Sequence, residues 1–264
     1  MSAPPLAHLV AGDGPPVLLL NGGLMTWAGW GPLATGLLAR YRVVRCDFRG
    51  QWLSPGPPPA TLAGHAADVG ALLDSLSLPP VHVVATSFGA LAGVLLAASR
   101  PQSVASLCLI TTTERITDAM WQGCQVGIQA SRDAARGGDR GRAWDALLGA
   151  AFSPAYRQAQ AELLATRRSQ MALVPPVWFE HAALLVESLE GLDLRPELGR
   201  LACPTLVVAA EQDETFGMEH SQALAAGIPG ARLVSLPGGH ALVVEQPDAL
   251  LGVVQGFLAQ VVPA

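Results

Sequence analysis

Three polar residues of this 264-residue chain, Ser87, Asp213 and His240, are of the types that perform nucleophilic catalysis. A serine hydroxyl is a weak nucleophile and needs a base that accepts its proton. Imidazole titrates near neutral pH and suits that role. A carboxylate behind the ring fixes its tautomer and stabilises the imidazolium that forms. The three residues therefore predict a Ser-His-Asp triad, provided that the fold brings them together.

Each of the three residues comes shortly after an apolar run that is typical of a β-strand. The runs are, in chain order, VHVVAT (81–86), PTLVVAA (204–210) and ARLVSLP (231–237). In an open parallel sheet, ligands bind beyond the carboxyl ends of the strands. We therefore expect the three side chains to meet at that edge of the sheet.

Each residue also has a simpler interpretation. Ser87 stands where a serine commonly caps a helix N-terminus. His240 has the position of an ordinary loop histidine. The acid has rivals, since Glu211 and Glu214 are its neighbours and Asp118 follows an earlier strand. The joint occurrence of the right residue types, each just past a strand, favours the catalytic interpretation.

A triad of this kind needs two hydrogen-bond donors for the oxyanion of its intermediate. The backbone N–H of Phe88, directly after the serine and at the start of a helix, is one candidate. The other is expected in the turn NGGLM (21–25), where we favour Gly23 and keep Leu24 as the alternative. Glycines in this turn allow close backbone approach to a ligand.

The chain as a whole alternates strands and helices, which indicates an α/β fold with a mostly parallel sheet. Seven short apolar runs, of which LAHLVA (6–11) is the only one before the Gly-Asp-Gly turn, predict about seven strands flanked by helices. From 114 to 200 the strands cease and the pattern is helical. We interpret 114–200 as a helical cap, or lid, inserted into a core formed by 1–113 and 201–264.

Composition excludes several classes of function. A net charge of −5 argues against the basic surface that a nucleic-acid-binding protein needs. All 16 basic residues are arginine, so a phosphate loop with its lysine and a lysine Schiff base are both excluded.

GWGPLA (29–34), with Asp47 as a ribose-binding acid, matches a dinucleotide fingerprint but begins too far beyond its strand. No cysteine or histidine spacing suggests a metal. We predict no cofactor and no metal.

Further features of the sequence concern the cellular location of the protein. The start, MSAPPLAHLVAG, lacks a charged and then apolar leader, and the longest apolar run, ALAGVLLAA, is too short to span a bilayer. The four cysteines have no paired spacing, and two lie inside predicted strands, so buried free thiols are expected. We therefore expect a cytoplasmic protein with no stable membrane insertion. The oligomeric state stays open.

Several segments together resemble the α/β-hydrolase superfamily, in particular its cap-bearing serine hydrolases. The most specific are PTLVVAAEQDETF (204–216) around the acid and LPGGHALVVEQP (236–247) around the histidine. HVVATSFGALAG (82–93) resembles the nucleophile elbow, and CDFRGQWLS (46–54) resembles the family's D-x-R-G-H-G-x-S segment. The order Ser, Asp, His is the one that the family uses. The resemblance covers almost the whole chain.

The chain departs from the family pattern at a few positions. Asn21 replaces a histidine, Gln51 and Trp52 replace His-Gly, and Ala85 replaces the first elbow glycine. Asn21 and Ala85 resemble a subgroup of bacterial acyltransferases that join two 3-hydroxyacyl chains in rhamnolipid synthesis. This looser resemblance implies that an acyl group is passed to a hydroxylated acceptor rather than to water.

The predicted cap is rich in large apolar side chains, which favours an apolar acyl or aromatic substrate. We predict a pocket lined by Leu24, Trp121 and Trp178, although many such residues must pack the cap itself. The expected function is hydrolysis of a carboxylic ester of an apolar small molecule through an acyl-enzyme. The alternatives are acyl transfer with the same triad and a non-catalytic hydrolase-fold binding protein.

Overall fold

A computed structural model describes residues 5–261. The remaining ends of the predicted core, 1–4 and 262–264, lie outside the described residues. A single sheet organises the chain, and its seven strands confirm the predicted number. The strands are β1 (His8–Ala11), β2 (Pro16–Leu20), β3 (Arg42–Cys46), β4 (Val81–Thr86), β5 (Val104–Ile110), β6 (Thr205–Ala210) and β7 (Arg232–Leu236).

The order across the sheet is β1-β3-β2-β4-β5-β6-β7. Only β1 is antiparallel to its neighbour, while the other adjacent pairs are parallel. The carboxyl ends of β2 to β7 therefore share one edge. This edge is where the sequence places its candidate catalytic residues.

The helices either flank the two faces of the sheet or belong to the segment between β5 and β6. They are α1 (Gly31–Leu37), α2 (Leu62–Leu76), α3 (Phe88–Ser99), α4 (Asp118–Ala135), α5 (Arg140–Leu148), α6 (Pro154–Ala159), α7 (Ala161–Gln170), α8 (Pro176–Glu187), α9 (Arg195–Leu198), α10 (Met218–Gly227), α11 (Leu242–Glu245) and α12 (Pro247–Val261). Within residues 5–261, none of these helices is long and apolar enough to cross a membrane.

Strand periodicity divides the core into two layers. In β2, Leu18 and Leu20 face a cluster that includes residues of α2 and α3. Val17 and Leu19 point the other way, into a cluster formed with α1 and α12. Successive strand side chains alternate between faces, so a strand buried on both sides is apolar throughout. This explains why the central strands are nearly continuous apolar runs.

A helical insertion, from α4 to α9, separates β5 from β6. Its two connections to the core lie side by side. The Ile116 N–H donates to the Leu192 carbonyl at 2.9 Å, and the Leu194 N–H donates to the Glu114 carbonyl at 2.9 Å. Arg115 and Asp193 form an isolated antiparallel bridge between them. The insertion therefore leaves and re-enters the core through one narrow stalk.

Candidate active site

Ser87 occupies the sharp turn between β4 and α3. Its backbone has φ 51° and ψ −121°, a conformation that residues with a side chain rarely adopt. The hydroxyl makes no capping hydrogen bond to α3. Ser87 therefore precedes α3 as its N-cap residue, but its side chain does not cap the helix and instead lies within hydrogen-bond distance of His240. Strain of this kind is found where a fold forces one side chain into a functional position.

Close packing around the turn explains which elbow position must be glycine. A side-chain carbon on Gly89 would lie 2.4 Å from the Asn21 carbonyl oxygen and 2.5 Å from that of Leu20. At the other position, Ala85 is fully buried and faces Gly93, where a side-chain carbon would lie 3.7 Å from the Ala85 Cβ. One methyl group fits at residue 85, whereas no side chain fits at residue 89.

The three predicted residues form one hydrogen-bonded chain. The Nε2 atom of His240 lies 2.8 Å from the Oγ atom of Ser87. The Nδ1 atom of His240 lies 2.9 Å from the Oδ2 atom of Asp213. An ionised carboxylate only accepts hydrogen bonds, so Nδ1 carries the proton and Nε2 is free to accept the serine proton. The arrangement can thus deprotonate a serine hydroxyl.

The surroundings of Asp213 keep its side chain ionised. Burial alone would raise the pKa of Asp213, since only 3% of its side chain is exposed. Hydrogen bonding to His240 and to the N–H groups of Thr215 and Phe216 outweighs burial, and the pKa lies below its ordinary value. The Phe216 ring packs edge-on against the imidazole of His240 at 5.1 Å. The carboxylate and the imidazole are therefore held from several sides.

The rival acids lie elsewhere. Glu211 accepts a hydrogen bond from the Ser235 hydroxyl at 3.3 Å. Glu214 pairs with Arg157 at 3.2 Å. Asp118 lies in the first turn of α4. Asp213 is the acid that the structure brings to His240.

The turn after β2 lies against the serine turn. A side-chain carbon on Gly23 would lie 3.6 Å from the Cβ atom of Phe88, and one on Gly22 would lie 3.6 Å from the Cβ atom of Ser87. Among the described residues, the backbone N–H groups of Gly23 and Phe88 have no protein acceptor. Both groups are available to a ligand atom at this position.

A buried polar network holds that turn. The Asn21 side chain donates to Asp47 Oδ1 at 3.1 Å and to the Met25 carbonyl at 3.2 Å, and it accepts from Trp30 Nε1 at 2.8 Å. Asp47 Oδ1 also accepts from the Trp27 N–H at 2.7 Å. Both Asn21 and Asp47 are fully buried. Asp47 is therefore committed to the turn and is unavailable to a ribose, in agreement with the rejection of the dinucleotide motif.

A cavity of about 380 Å³ opens at Ser87 and His240. Most of its lining is apolar. Its lining includes Gly23, Leu24, Phe88 and Leu91 of the core, Ala119, Met120, Gly123, Cys124 and Gly127 of α4, Leu185, Val186 and Leu189 in and after α8, and residues of the segments 146–151 and 214–216. This volume and lining are typical of a small-molecule site.

The structure places Leu24 on this cavity but not the two predicted tryptophans. Trp178 is 6% exposed and packs in the core of the insertion, with its ring 5.1 Å from that of Phe179. Trp121 is on another face of α4 from the stripe that runs from Ala119 to Gly127. Neither tryptophan belongs to the lining among residues 5–261. The size and aromatic character of a side chain do not indicate whether it lines the cavity, because its position around the helix decides which way it faces.

Sequence reasoning missed two kinds of residue. The small residues of α4 on the cavity recur at helical spacing, a signal that is present in the sequence. Ser153 contacts the segment around His240 through Glu245, and no local pattern indicates this contact. It depends on how the insertion folds back onto the core.

Comparisons with known proteins identify relatives of this chain in sequence and in structure. The chain is 32% identical to a putative carbamate hydrolase RutD from Variovorax paradoxus, with 97% of each chain covered. It is similar in structure to an enol-lactonase from Burkholderia xenovorans LB400, with a TM-score of 0.84, 27% identity and 96% of each chain covered.

A further structure shows the fold alone. An alpha/beta hydrolase enzyme from a Medee basin deep-sea metagenome library superimposes with a TM-score of 0.90 at 19% identity, covering 98% of this chain and 96% of that one. The family described as alpha/beta hydrolase fold matches residues 15–247. The predicted resemblance is confirmed at this level: the chain belongs to the alpha/beta hydrolase family.

Proposed function

We propose that this protein is a serine hydrolase that cleaves a carboxylic ester of an apolar small molecule through an acyl-enzyme, without a cofactor. The observation that carries the proposal is the hydrogen-bonded chain from Ser87 through His240 to Asp213, opening on an apolar cavity. A non-catalytic binding protein has no need of a strained serine aligned with an imidazole and a carboxylate.

The geometry supports the following reaction. His240 accepts the proton of Ser87 as the Oγ atom attacks the substrate carbonyl carbon. The N–H groups of Gly23 and Phe88 stabilise the oxyanion that forms. The intermediate collapses, the C–O bond to the alcohol breaks, and His240 returns its proton to the departing oxygen. Water, deprotonated by His240, then attacks the acyl-enzyme and releases the acid and Ser87.

The cavity supports a neutral, apolar acyl group. None of its lining residues within 5–261 is an arginine, and its one carboxylate, Glu214, is paired with Arg157, so the lining offers no positive charge to an anionic substrate. Esters, lactones and carbamates all present a carbonyl carbon with a heteroatom leaving group. The names of the carbamate hydrolase and the enol-lactonase therefore support this chemistry without fixing the substrate.

We further propose that residues 114–200 form a cap over the site. Residues of α4 and α8 complete the cavity that Ser87 and His240 open into. The chain enters and leaves this segment at the stalk, where the two connections are hydrogen-bonded to each other at Glu114 and Leu194. Substrate selection would then depend on the insertion, and bond cleavage on the core.

The test is a panel of nitrophenyl esters from acetate to dodecanoate, with a lactone, a carbamate and a monoester of a dicarboxylic acid added. We expect Ser87-dependent hydrolysis with a preference for butanoate to octanoate. A 3-hydroxyacyl donor, supplied with a hydroxylated acceptor, should release free acid rather than a joined product. A preference for the anionic ester, or hydrolysis that survives Ser87→Ala, would contradict the proposal.

A further inference from the structure

Both residues that flank His240 are hydrogen-bonded through their backbone N–H groups. The Gly239 N–H donates to Glu245 Oε2 at 3.2 Å. The Ala241 N–H donates to the Ala151 carbonyl at 2.8 Å. Ala151 belongs to the helical insertion and not to the core. The peptide that carries the imidazole is therefore held on one side by a carboxylate and on the other by the insertion.

The same carboxylate also holds the insertion. Glu245 Oε1 accepts from the Ser153 N–H at 2.9 Å, and Glu245 Oε2 accepts from the Ser153 hydroxyl at 2.6 Å. Ser153 is 3% exposed, so water does not compete freely for these bonds. Hydrogen bonds to an ionised acceptor are about twice as strong as those between neutral groups. Glu245 thus binds the His240 segment and the insertion at a single point.

Gly239 packs too tightly against Ser153 and Glu245 to accommodate a side chain. A side-chain carbon there would lie 2.5 Å from the Ser153 backbone nitrogen, 2.8 Å from Glu245 Oε1 and 2.9 Å from the Phe152 carbonyl carbon. The backbones of residues 152–153 and of Gly239 therefore touch directly. A displacement of the insertion at Ser153 must be transmitted to the residue before His240.

We propose that Glu245 and Ser153 are positioning residues for His240. The carboxylate fixes the backbone on which the imidazole rests, and the insertion fixes the carboxylate. This inference rests on the proposed function, since it concerns the base of that reaction. A misplacement of about 1 Å between reacting groups can lower a rate about a hundredfold. The insertion would then orient the base as well as line the cavity.

Ser153 has a second contact that the experiment must separate. Its hydroxyl also accepts from the Tyr156 N–H at 3.2 Å and so caps α6. The matched control is Asp139→Ala, which removes the N-cap of α5 in the same insertion without touching Glu245. Ser153→Thr keeps a hydroxyl that can serve both partners.

The experiment compares wild type, Glu245→Gln, Ser153→Ala, Ser153→Thr and Asp139→Ala. Each is titrated with a fluorophosphonate for its reactive serine, and kcat and KM are then measured on a nitrophenyl butanoate. We expect Glu245→Gln to lower kcat per titrated site about tenfold or more, with KM changed less than about twofold. Ser153→Ala should show a smaller loss in kcat, which Ser153→Thr restores. Asp139→Ala should match wild type.

The outcomes separate the two proposals. A wild type that does not react with the fluorophosphonate contradicts the proposed function and this inference with it. A reactive wild type with an unchanged kcat in Glu245→Gln overturns the inference alone. If Glu245→Gln does not fold, the Ser153→Ala and Ser153→Thr pair decides: equal kcat values in the two variants and wild type overturn the inference. A loss that appears only as fewer titrated sites also overturns it.

Discussion

The Nε2 atom of His240 lies 2.8 Å from the Oγ atom of Ser87, although 153 positions separate the two residues in the chain. Ser87 follows β4 and His240 follows β7, two strands that are not neighbours in the sheet. They meet because parallel strands present their carboxyl ends at one edge and the His240 loop reaches back across it. Asp213, after β6, stands behind the imidazole in the same way.

Asp213→Asn should abolish most of the activity while leaving the fold intact. An amide can donate to Nδ1 of His240 and so favours the wrong tautomer, which leaves no acceptor at Nε2 for the serine proton. A loss in kcat on the order of a thousandfold to ten-thousandfold is expected. Steady-state hydrolysis of a nitrophenyl ester measures it. Glu211→Gln is the control, since Glu211 contacts Ser235 and not His240, and equal losses in both variants would refute the assignment.

Gly89→Ala should be far more damaging than Ala85→Gly. The added methyl group at residue 89 would lie against two backbone carbonyl oxygens of the β2 segment, which cannot move aside cheaply. Overpacking of this kind costs about 1–3 kcal/mol or more. Ala85→Gly removes one buried methyl group and should cost about 1 kcal/mol with activity retained. Urea unfolding of both variants checks this, and comparable losses of stability would contradict the packing argument.

Gly123→Leu should shorten the range of acyl chains that the enzyme accepts. Gly123 lines the cavity, and no atom lies within 4 Å of a side-chain carbon built there, so a larger side chain enters empty space. Acetate ester hydrolysis should be retained, while kcat/KM for octanoate falls about tenfold or more. Val126→Leu, on the same helix but 62% exposed, is the control. A uniform loss over all chain lengths would place the acyl group elsewhere.

His65 should make the protein less stable as the pH falls. Burial, with a smaller effect of the Arg49 charge, lowers the pKa of His65 from 6.5 to about 4. Unfolded chains bind the proton below about pH 6.5 and the folded protein does not, so the free energy of unfolding decreases on acidification. The contribution between pH 7 and pH 5 is on the order of 2 kcal/mol.

Urea unfolding of wild type and His65→Leu at both pH values tests this. The variant should lose about 2 kcal/mol less than wild type on acidification. His82, whose pKa burial also lowers, is present in both proteins and cancels in the comparison. An identical loss in the two proteins would contradict the argument.

The sheet and the triad could be predicted because their signals are local. Each strand is a short apolar run; Ser87 follows β4 directly, and Asp213 and His240 come within four residues of the ends of β6 and β7. The parallel topology then requires that they share an edge. The direction of β1 could not be predicted, because the single apolar run LAHLVA (6–11) does not indicate which strand it pairs with or in which orientation.

The cavity wall could not be predicted in the same way. Trp178 and Gly123 both belong to amphipathic helices of the insertion, and helix phase alone does not say which face meets the core. The contact between Ser153 and Glu245 spans 92 positions and depends on tertiary packing of a turn. Asn21 shows a third limit: its resemblance to the acyltransferase subgroup does not reveal its contacts with Asp47 and Trp30, which hold the turn beside Gly23.

Labelling with a fluorophosphonate tests the central claim most directly, because the reagent attacks only a serine that an adjacent base has activated. Wild-type protein should be labelled at one site, and peptide mass analysis should place the label on Ser87. Ser87→Ala should not react, and His240→Ala should react at least about a hundredfold more slowly. Equal labelling of wild type and Ser87→Ala, or a wild type that does not react, would contradict the account.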